Sequence, residues 1–198
     1  MSRKTALHIG GFMKKKLVWA LFICVLCIVF FGCASSAPAS EETGNYVKNG
    51  DFSKFGSEWP NLPFSWSTTW KGGDGYEPIK TEVLAPDTNR RFLGWAENIY
   101  SFTLSQNISG LTAGTYTLSA EFRLNPDSIV EDIVMNVYSG GSLIKSKSVR
   151  EELFASPRET DVLFELPGIE ITGRTAKIEF VGVNIIKYIG IDNVIFSK

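Results

Sequence analysis

Beyond residue 45 the apolar positions recur at every second residue rather than every third or fourth. In Thr115–Leu124 the residues Tyr116, Leu118, Ala120, Phe122 and Leu124 alternate with Thr115, Thr117, Ser119, Glu121 and Arg123. A period of two places the first set on one face of a strand and the second on the other, which predicts one buried and one polar side. The same reasoning predicts strands at Tyr46–Phe52, Phe64–Trp70, Ile79–Leu84, Arg91–Trp95, Tyr100–Ile108, Asp132–Tyr138, Leu143–Val149, Thr160–Leu166, Ala176–Val183 and Tyr188–Phe196. No stretch of ten or more residues keeps an i, i+3, i+4, i+7 apolar pattern without an interrupting Gly or Pro. The body is therefore predicted to be all-β, a β-sandwich or jelly roll with one core.

Turn chemistry supports the division. Ser139-Gly140-Gly141-Ser142 predicts a tight hairpin between two of these strands, and Ser109–Gly114 suits a short antiparallel connection between Tyr100–Ile108 and Thr115–Leu124. The long connections are Ser53–Pro63, Lys71–Pro78 and Arg150–Glu159. Binding residues often sit in such loops on a rigid sheet scaffold.

The first 32 residues read differently. Lys14-Lys15-Lys16 precede a 15-residue apolar run, Leu17–Phe31, followed by Gly32-Cys33-Ala34-Ser35-Ser36. A charged segment, an apolar segment and small residues in that order form a secretory signal, and the run is short of the roughly 20 residues that span a bilayer. Because it stops at Gly-Cys, it resembles a bacterial lipoprotein signal, with Phe30 and Phe31 where Leu and a small residue are more common. That resemblance implies lipidation of Cys33, a membrane held through a lipid anchor, and a lipid-anchored, extracytoplasmic place in a bacterial cell envelope. The expected organisation is a signal peptide over 1–32, a flexible tether over 33–45 and a β-domain over 46–198.

Removing the signal changes the chemistry that is open to the chain. From Cys33 onward there are 15 basic and 21 acidic residues, a balance of −6, which disfavours nucleic acid as a partner. The only histidine, His8, and the cysteines Cys24 and Cys27 lie in the signal. The body therefore has no Cys-His or Ser-His-Asp catalysis and no thiolate or imidazole zinc site. Carboxylate chemistry, an oxygen-ligated metal and binding without chemistry stay open. A glycosidase needs two carboxylates roughly 5 to 9.5 Å apart across a cleft, and sequence gives no reason to pair any two of Glu97, Glu121, Asp132 and Glu179. Gly72-Gly73-Asp74-Gly75 lacks the Lys-Ser/Thr and the following helix of a phosphate loop.

Aromatic residues outside the strongest alternating strands are the remaining candidates. Trp70 and Tyr76 flank the glycine-rich segment 71–75, and Trp95 precedes Ala96-Glu97-Asn98, where a carboxylate and an amide stand ready for hydroxyl groups. Indole and phenol faces stack on the C–H patch of a pyranose, each contact contributing on the order of 1 kcal/mol by analogy with aromatic pairs. Two or three such contacts give roughly micromolar to millimolar affinity, which suits a repetitive polymer. Trp66, alternating with Phe64, is expected in the core, and Trp59 beside Pro60 is equally a loop plug or a platform. Arg123 and Glu121 share the polar face of the clearest strand, either as part of a binding face or as a solvated one.

Three segments carry a family resemblance: Asn49-Gly50-Asp51-Phe52, Ser105–Ala120 with its Gln106-Asn107-Ile108-Ser109-Gly110-Leu111 start, and Ile191-Asp192-Asn193-Val194. They resemble the galactose-binding-like β-jelly-roll carbohydrate-binding modules of bacterial polysaccharide-degrading systems. Phe92-Leu93-Gly94-Trp95 leading into Tyr100–Gln106 is similar, more narrowly, to the galactan-binding modules of bacterial endo-β-1,4-galactanases. The resemblance implies a jelly roll, a β-galactan or related polysaccharide as ligand, no catalysis, and a glycoside hydrolase or transporter as partner. It also implies a structural calcium between first and last strands, with Asp192 matching the last-strand aspartate and Asp51 offering its carbonyl; Ser53 stands where the family usually has Glu or Asp. Two other classes remain: an envelope interaction protein using the same sandwich without sugar, and an enzyme.

Overall fold

The computed structural model describes residues 44–56, 62–74, 79–84 and 89–198. Among these residues the chain forms strands β1 (Ser67–Gly72), β2 (Ile79–Leu84), β3 (Asn89–Ser109), β4 (Gly114–Leu124), β5 (Ile129–Ser139), β6 (Ser142–Ser148), β7 (Val162–Ile171) and β8 (Thr175–Ser197), with one short helix, α1 (Arg150–Ala155). All strand pairings are antiparallel.

Two strands are long enough to belong to both layers of a sandwich. The first half of β3 pairs with β2 and with the last half of β8, which in turn pairs with β4, and β4 with β7. The second half of β3 pairs with β1 and with the first half of β8, which pairs with β5, and β5 with β6. Layer one is thus β2-β3-β8-β4-β7 and layer two β1-β3-β8-β5-β6. Two expected pairs of strands, Arg91–Trp95 with Tyr100–Ile108 and Ala176–Val183 with Tyr188–Phe196, turn out to be the two halves of β3 and of β8. The polar interruptions that separate them in sequence are bends. Register shifts in β3 lie between Ala96 and Tyr100 and between Tyr100 and Phe102, and β8 carries positive φ at Asn184 and Lys187. Such irregularities turn a strand from one sheet to the other without ending it.

The core lies between the layers. Phe92, Phe122 and Ile191 of layer one meet Phe102 and Phe180 of layer two, with ring centroids 5.3 Å apart for Phe92–Phe102 and 5.8 Å for Phe122–Phe180. Trp66 is buried as expected, 5.4 Å from Phe52, and its indole N–H donates to the Asn49 carbonyl at 3.1 Å. Fully burying each such side chain contributes about 1.5–3 kcal/mol.

Three sequence expectations need correction. Tyr46–Phe52 is not a regular strand: it follows the end of β8 through Tyr46 N–H to Phe196 O and Val194 N–H to Gly50 O, both 2.9 Å, but turns away with positive φ at Asn49 and Phe52. Strand β1 begins at Ser67, leaving Phe64 in a turn. The connection 109–114 does not join neighbours, because β8 lies between β3 and β4; it carries the chain from layer two to layer one. The Gly140-Gly141 hairpin between β5 and β6 is found where the sequence places it. Edge strand β6 turns two lysines toward β7: Lys145 Nζ donates to Gly168 O and Lys147 Nζ to Glu165 O, both at 3.4 Å. Lysines on an edge obstruct pairing with another chain.

Candidate functional site

Alternation along β3 puts Phe92 and Ala96 into the core and Arg91, Leu93 and Trp95 on the outward face of layer one. On β8 the outward residues are Tyr188, Gly190 and Asp192, and on β4 they are Glu121 and Arg123. Register aligns them across strands: Trp95 opposite Tyr188, Leu93 opposite Gly190 opposite Arg123, and Asp192 opposite Glu121 opposite Leu163. Arg91 is only 2% exposed and Asp192 3%, although both face away from the core.

Gly190 makes this possible. A Cβ there would lie 2.9 Å from Arg91 Cδ and 2.9 Å from the Tyr188 hydroxyl, so the absence of a side chain is what lets Arg91 lie across β8. Its guanidinium forms a two-pronged bond to Asp161, Nη1–Oδ1 at 2.7 Å and Nη2–Oδ2 at 3.2 Å, and Arg123 Nη1 approaches the same carboxylate at 3.9 Å. Burial disfavours the Arg91 charge, but the Asp161 bonds outweigh it. On the neighbouring row the Asn193 amide donates to Glu121 Oε2 at 2.8 Å, while Asp192 Oδ1 accepts the Asn193 N–H at 2.8 Å. Burial pushes the Asp192 carboxyl up to about 6, against the smaller pull of that N–H and of Arg91.

Trp95 ends the outward row of β3, 43% exposed, where the strand bends. The bend is braced from three sides. Asp74 accepts the N–H groups of Glu97 (2.8 Å) and Asn98 (3.0 Å) and also the Asn98 amide, and these bonds hold its carboxyl below the ordinary range. Gly73 N–H donates to Ile99 O at 2.9 Å, and Gly72, at φ +87°, has no room for a Cβ, which would sit 2.4 Å from that same oxygen. The buried Tyr100 hydroxyl donates to Lys187 O at 3.0 Å, holding Lys187 in its left-handed conformation. Lys187 then reaches back with its ammonium 5.8 Å from the Trp95 ring centroid and pairs with Glu97. The Glu97 bond raises the Lys187 pKa. A half-exposed indole therefore lies beside a fixed cation–anion pair, with Tyr188 opposite it in register and Asn98 held at the same bend by Asp74. That arrangement offers one apolar face and several oriented hydrogen-bonding groups, the requirements for holding a polyhydroxylated ring.

The expected residues are partly assembled. Trp95, Glu97 and Asn98 come together at the bend, and Arg123 shares their sheet face, one register row from Trp95. Trp70 does not join them: it stands opposite Phe102 on β1, at the edge of layer two, 41% exposed. Tyr76, Trp59 and Cys33 lie outside the described residues. Asp51 and Asp192 serve separate purposes: Asp51 is exposed and accepts from Ser53 N–H (3.2 Å) and Ser53 Oγ (3.0 Å), whereas Asp192 belongs to the Arg91 face. Among the described residues no group of three or more His, Cys, Asp or Glu side chains converges. Sequence reasoning missed Arg91, Asp74, Tyr188 and Lys187. Arg91 carried a signal, since it alternates with Leu93 and Trp95; the others reach the site only through bends and loops.

No protein-family model matches the sequence and no curated relative does. Solved structures do match in fold. A family 61 carbohydrate-binding module in complex with β-1,4-galactotriose superposes on 78% of this chain and 98% of its own, with a TM-score of 0.55 at 18% identity. A sugar-binding protein described as putative, from Bacteroides thetaiotaomicron, matches 78% of this chain and 99% of its own, with a TM-score of 0.52 at 12% identity. The enzymatically active domain of tailspike protein 4 from bacteriophage CBA120 matches 77% of this chain but 21% of its own, with a TM-score of 0.53 at 17% identity. The chain has the β-jelly-roll fold of carbohydrate-binding modules.

Proposed function

We propose that this protein binds a polysaccharide without transforming it, and that β-galactan or a closely related glycan is the ligand. The observation that carries the reading is Trp95, half exposed at a rigidly braced bend between the Lys187–Glu97 pair, Asn98 and Tyr188. The indole takes the C–H face of one sugar residue; the fixed polar groups take its hydroxyls; Arg123 on the same face extends the contact toward a neighbouring residue. The fold likeness to a module that holds β-1,4-galactotriose supports the sugar class. The state of the carboxylates on this face supports a non-catalytic role: Glu121 is held by Asn193, and Asp192 beside it is buried. Lipidation at Cys33 tethers the domain to the extracytoplasmic side of a bacterial membrane, where it captures polymer for a partner hydrolase or transporter.

Affinity electrophoresis through gels containing galactan, arabinogalactan, xylan, mannan or β-glucan tests the reading. Retardation by galactan is expected, and Trp95→Ala should weaken it about tenfold or more while leaving the thermal unfolding midpoint nearly unchanged, because the removed ring is half in solvent. Retardation by another polymer alone would replace the sugar. No retardation by any would favour an envelope protein that uses the sandwich to bind another protein.

A further inference from the structure

The outward face of layer two carries a second constellation that the Trp95 site does not use. Register aligns Ser67, Ser105, Glu179, Asn136 and Ser146 in one row across all five strands, and Asn107, Lys177 and Tyr138 in the next. Glu179 lies at the centre, 8% exposed. An outward carboxylate so deeply covered needs partners, and it has three: the Tyr138 hydroxyl at 2.9 Å, the Asn136 amide at 3.5 Å and the Lys177 ammonium. Asn136 is itself fixed by Ser146, whose hydroxyl donates to its Oδ1 at 2.7 Å. Lys177 sits 5.2 Å from the Tyr138 ring centroid.

Beside this network a cleft of about 690 Å³ opens at the β5–β6 hairpin end, lined by Asn107, Ser109, Tyr138, Gly140, Thr175 and Lys177. Its size falls within the range of small-ligand sites, about 300–1,000 Å³. The lining combines the aromatic Tyr138, the amide- or hydroxyl-bearing Asn107, Ser109 and Thr175, and the cation of Lys177. Tyr138 and Lys177 are locked in orientation by the covered Glu179, so the polar groups at the cleft do not have to be ordered on binding.

From this arrangement we infer that the cleft between Asn107, Tyr138 and Lys177 is a second saccharide site, on the opposite outward face from Trp95. The occupant is a further segment of the same glycan class, so the inference rests on the proposed function for its ligand. Two sites on opposite faces make the domain bivalent: one molecule holds two chains, or two stretches of one chain, and retention on polymer exceeds that of either site alone.

The test is amide chemical-shift mapping of the purified protein titrated with β-1,4-galactotriose, repeated with xylan-, mannan- and β-glucan-derived oligosaccharides. Two separate groups of shifting resonances are expected, one around residues 95–98 and 187–188, the other around residues 105–109, 136–140 and 175–179. Each group should saturate with its own dissociation constant. Tyr138→Ala should abolish the second group, keep the first, and reduce retention on the matching polymer about tenfold or more; Trp95→Ala should do the converse for the first group. Shifts confined to the Trp95 region would overturn the second site and leave the proposed function standing. Shifts confined to the Tyr138 region would keep the cleft as a saccharide site and overturn both the Trp95 assignment and the bivalence. Shifts in neither region with every sugar would overturn both.

Discussion

Strand β8 carries two nearly buried carboxylates, Glu179 in layer two and Asp192 in layer one, each facing away from the core, and their carboxyls are shifted in opposite directions. Burial raises both. For Glu179 the bonds from Lys177, Tyr138 and Asn136 outweigh it, and the carboxyl is held below its ordinary value. Asp192 has one backbone N–H at 2.8 Å, and the nearest guanidinium, Arg91, is turned to Asp161 instead, so its carboxyl rises to about 6. Depth does not set the charge state of an outward carboxylate; the number of donors aimed at it does. One face has therefore built its order around an anion, the other around a cation, and Asp192 sits beside that cation without owning it.

The largest effect is expected from removing the anchor of the cationic face. Asp161→Ala takes from the covered Arg91 the carboxylate that answers its fork. A loss of about 2–3 kcal/mol in denaturant unfolding is expected, less than the 3–5 kcal/mol of a fully buried pair because Asp161 is 36% exposed. Glu179→Ala on the other face should cost about 1–2 kcal/mol at pH 7, since it takes the shared acceptor from Tyr138, Asn136 and Lys177. If the two losses came out reversed, the anionic network would be the stronger of the two.

The smallest effect separates the faces by sign. Asp192 has a folded pKa of about 6 against an ordinary 3.8, so the folded state holds the extra proton between these values. Its contribution to stability falls as pH rises from about 4 to about 6 and is flat above that. Glu179, lowered from its ordinary 4.5, contributes stability that is present above that value and lost as pH falls through its folded pKa. Asp192→Asn should flatten the decline between about pH 4 and 6 with little change in acid, and Glu179→Gln should lessen the acid-side loss. Stability curves measured from pH 3 to 8 for the two variants check both; a decline that persists in Asp192→Asn would mean another group carries it.

Much of this was legible beforehand. The alternation in Thr115–Leu124, the buried Trp66 and the Gly140-Gly141 hairpin are local consequences of side-chain period and turn chemistry, and the structure places them as expected. The Trp95-x-Glu97-Asn98 grouping was visible too, because those residues adjoin in the chain. The continuity of β3 and β8 was not, since a bend with positive φ at Asn184 and Lys187 reads in sequence as the end of one strand and the start of another. The place of Trp70 was not legible for a related reason: standing beside a glycine-rich segment says nothing about which layer the strand joins.

The sequence by itself determined the all-β architecture, the single core and the exclusion of histidine and cysteine chemistry from the body, because these depend on composition and on a period that every strand must obey. Only the tertiary structure decided which polar residues share a face. Arg91 and Asp161 are 70 positions apart, and Lys187 and Glu97 are 90. Such pairs meet because β8 is threaded between β3 and β4, and no local pattern encodes a neighbour delivered by sheet order.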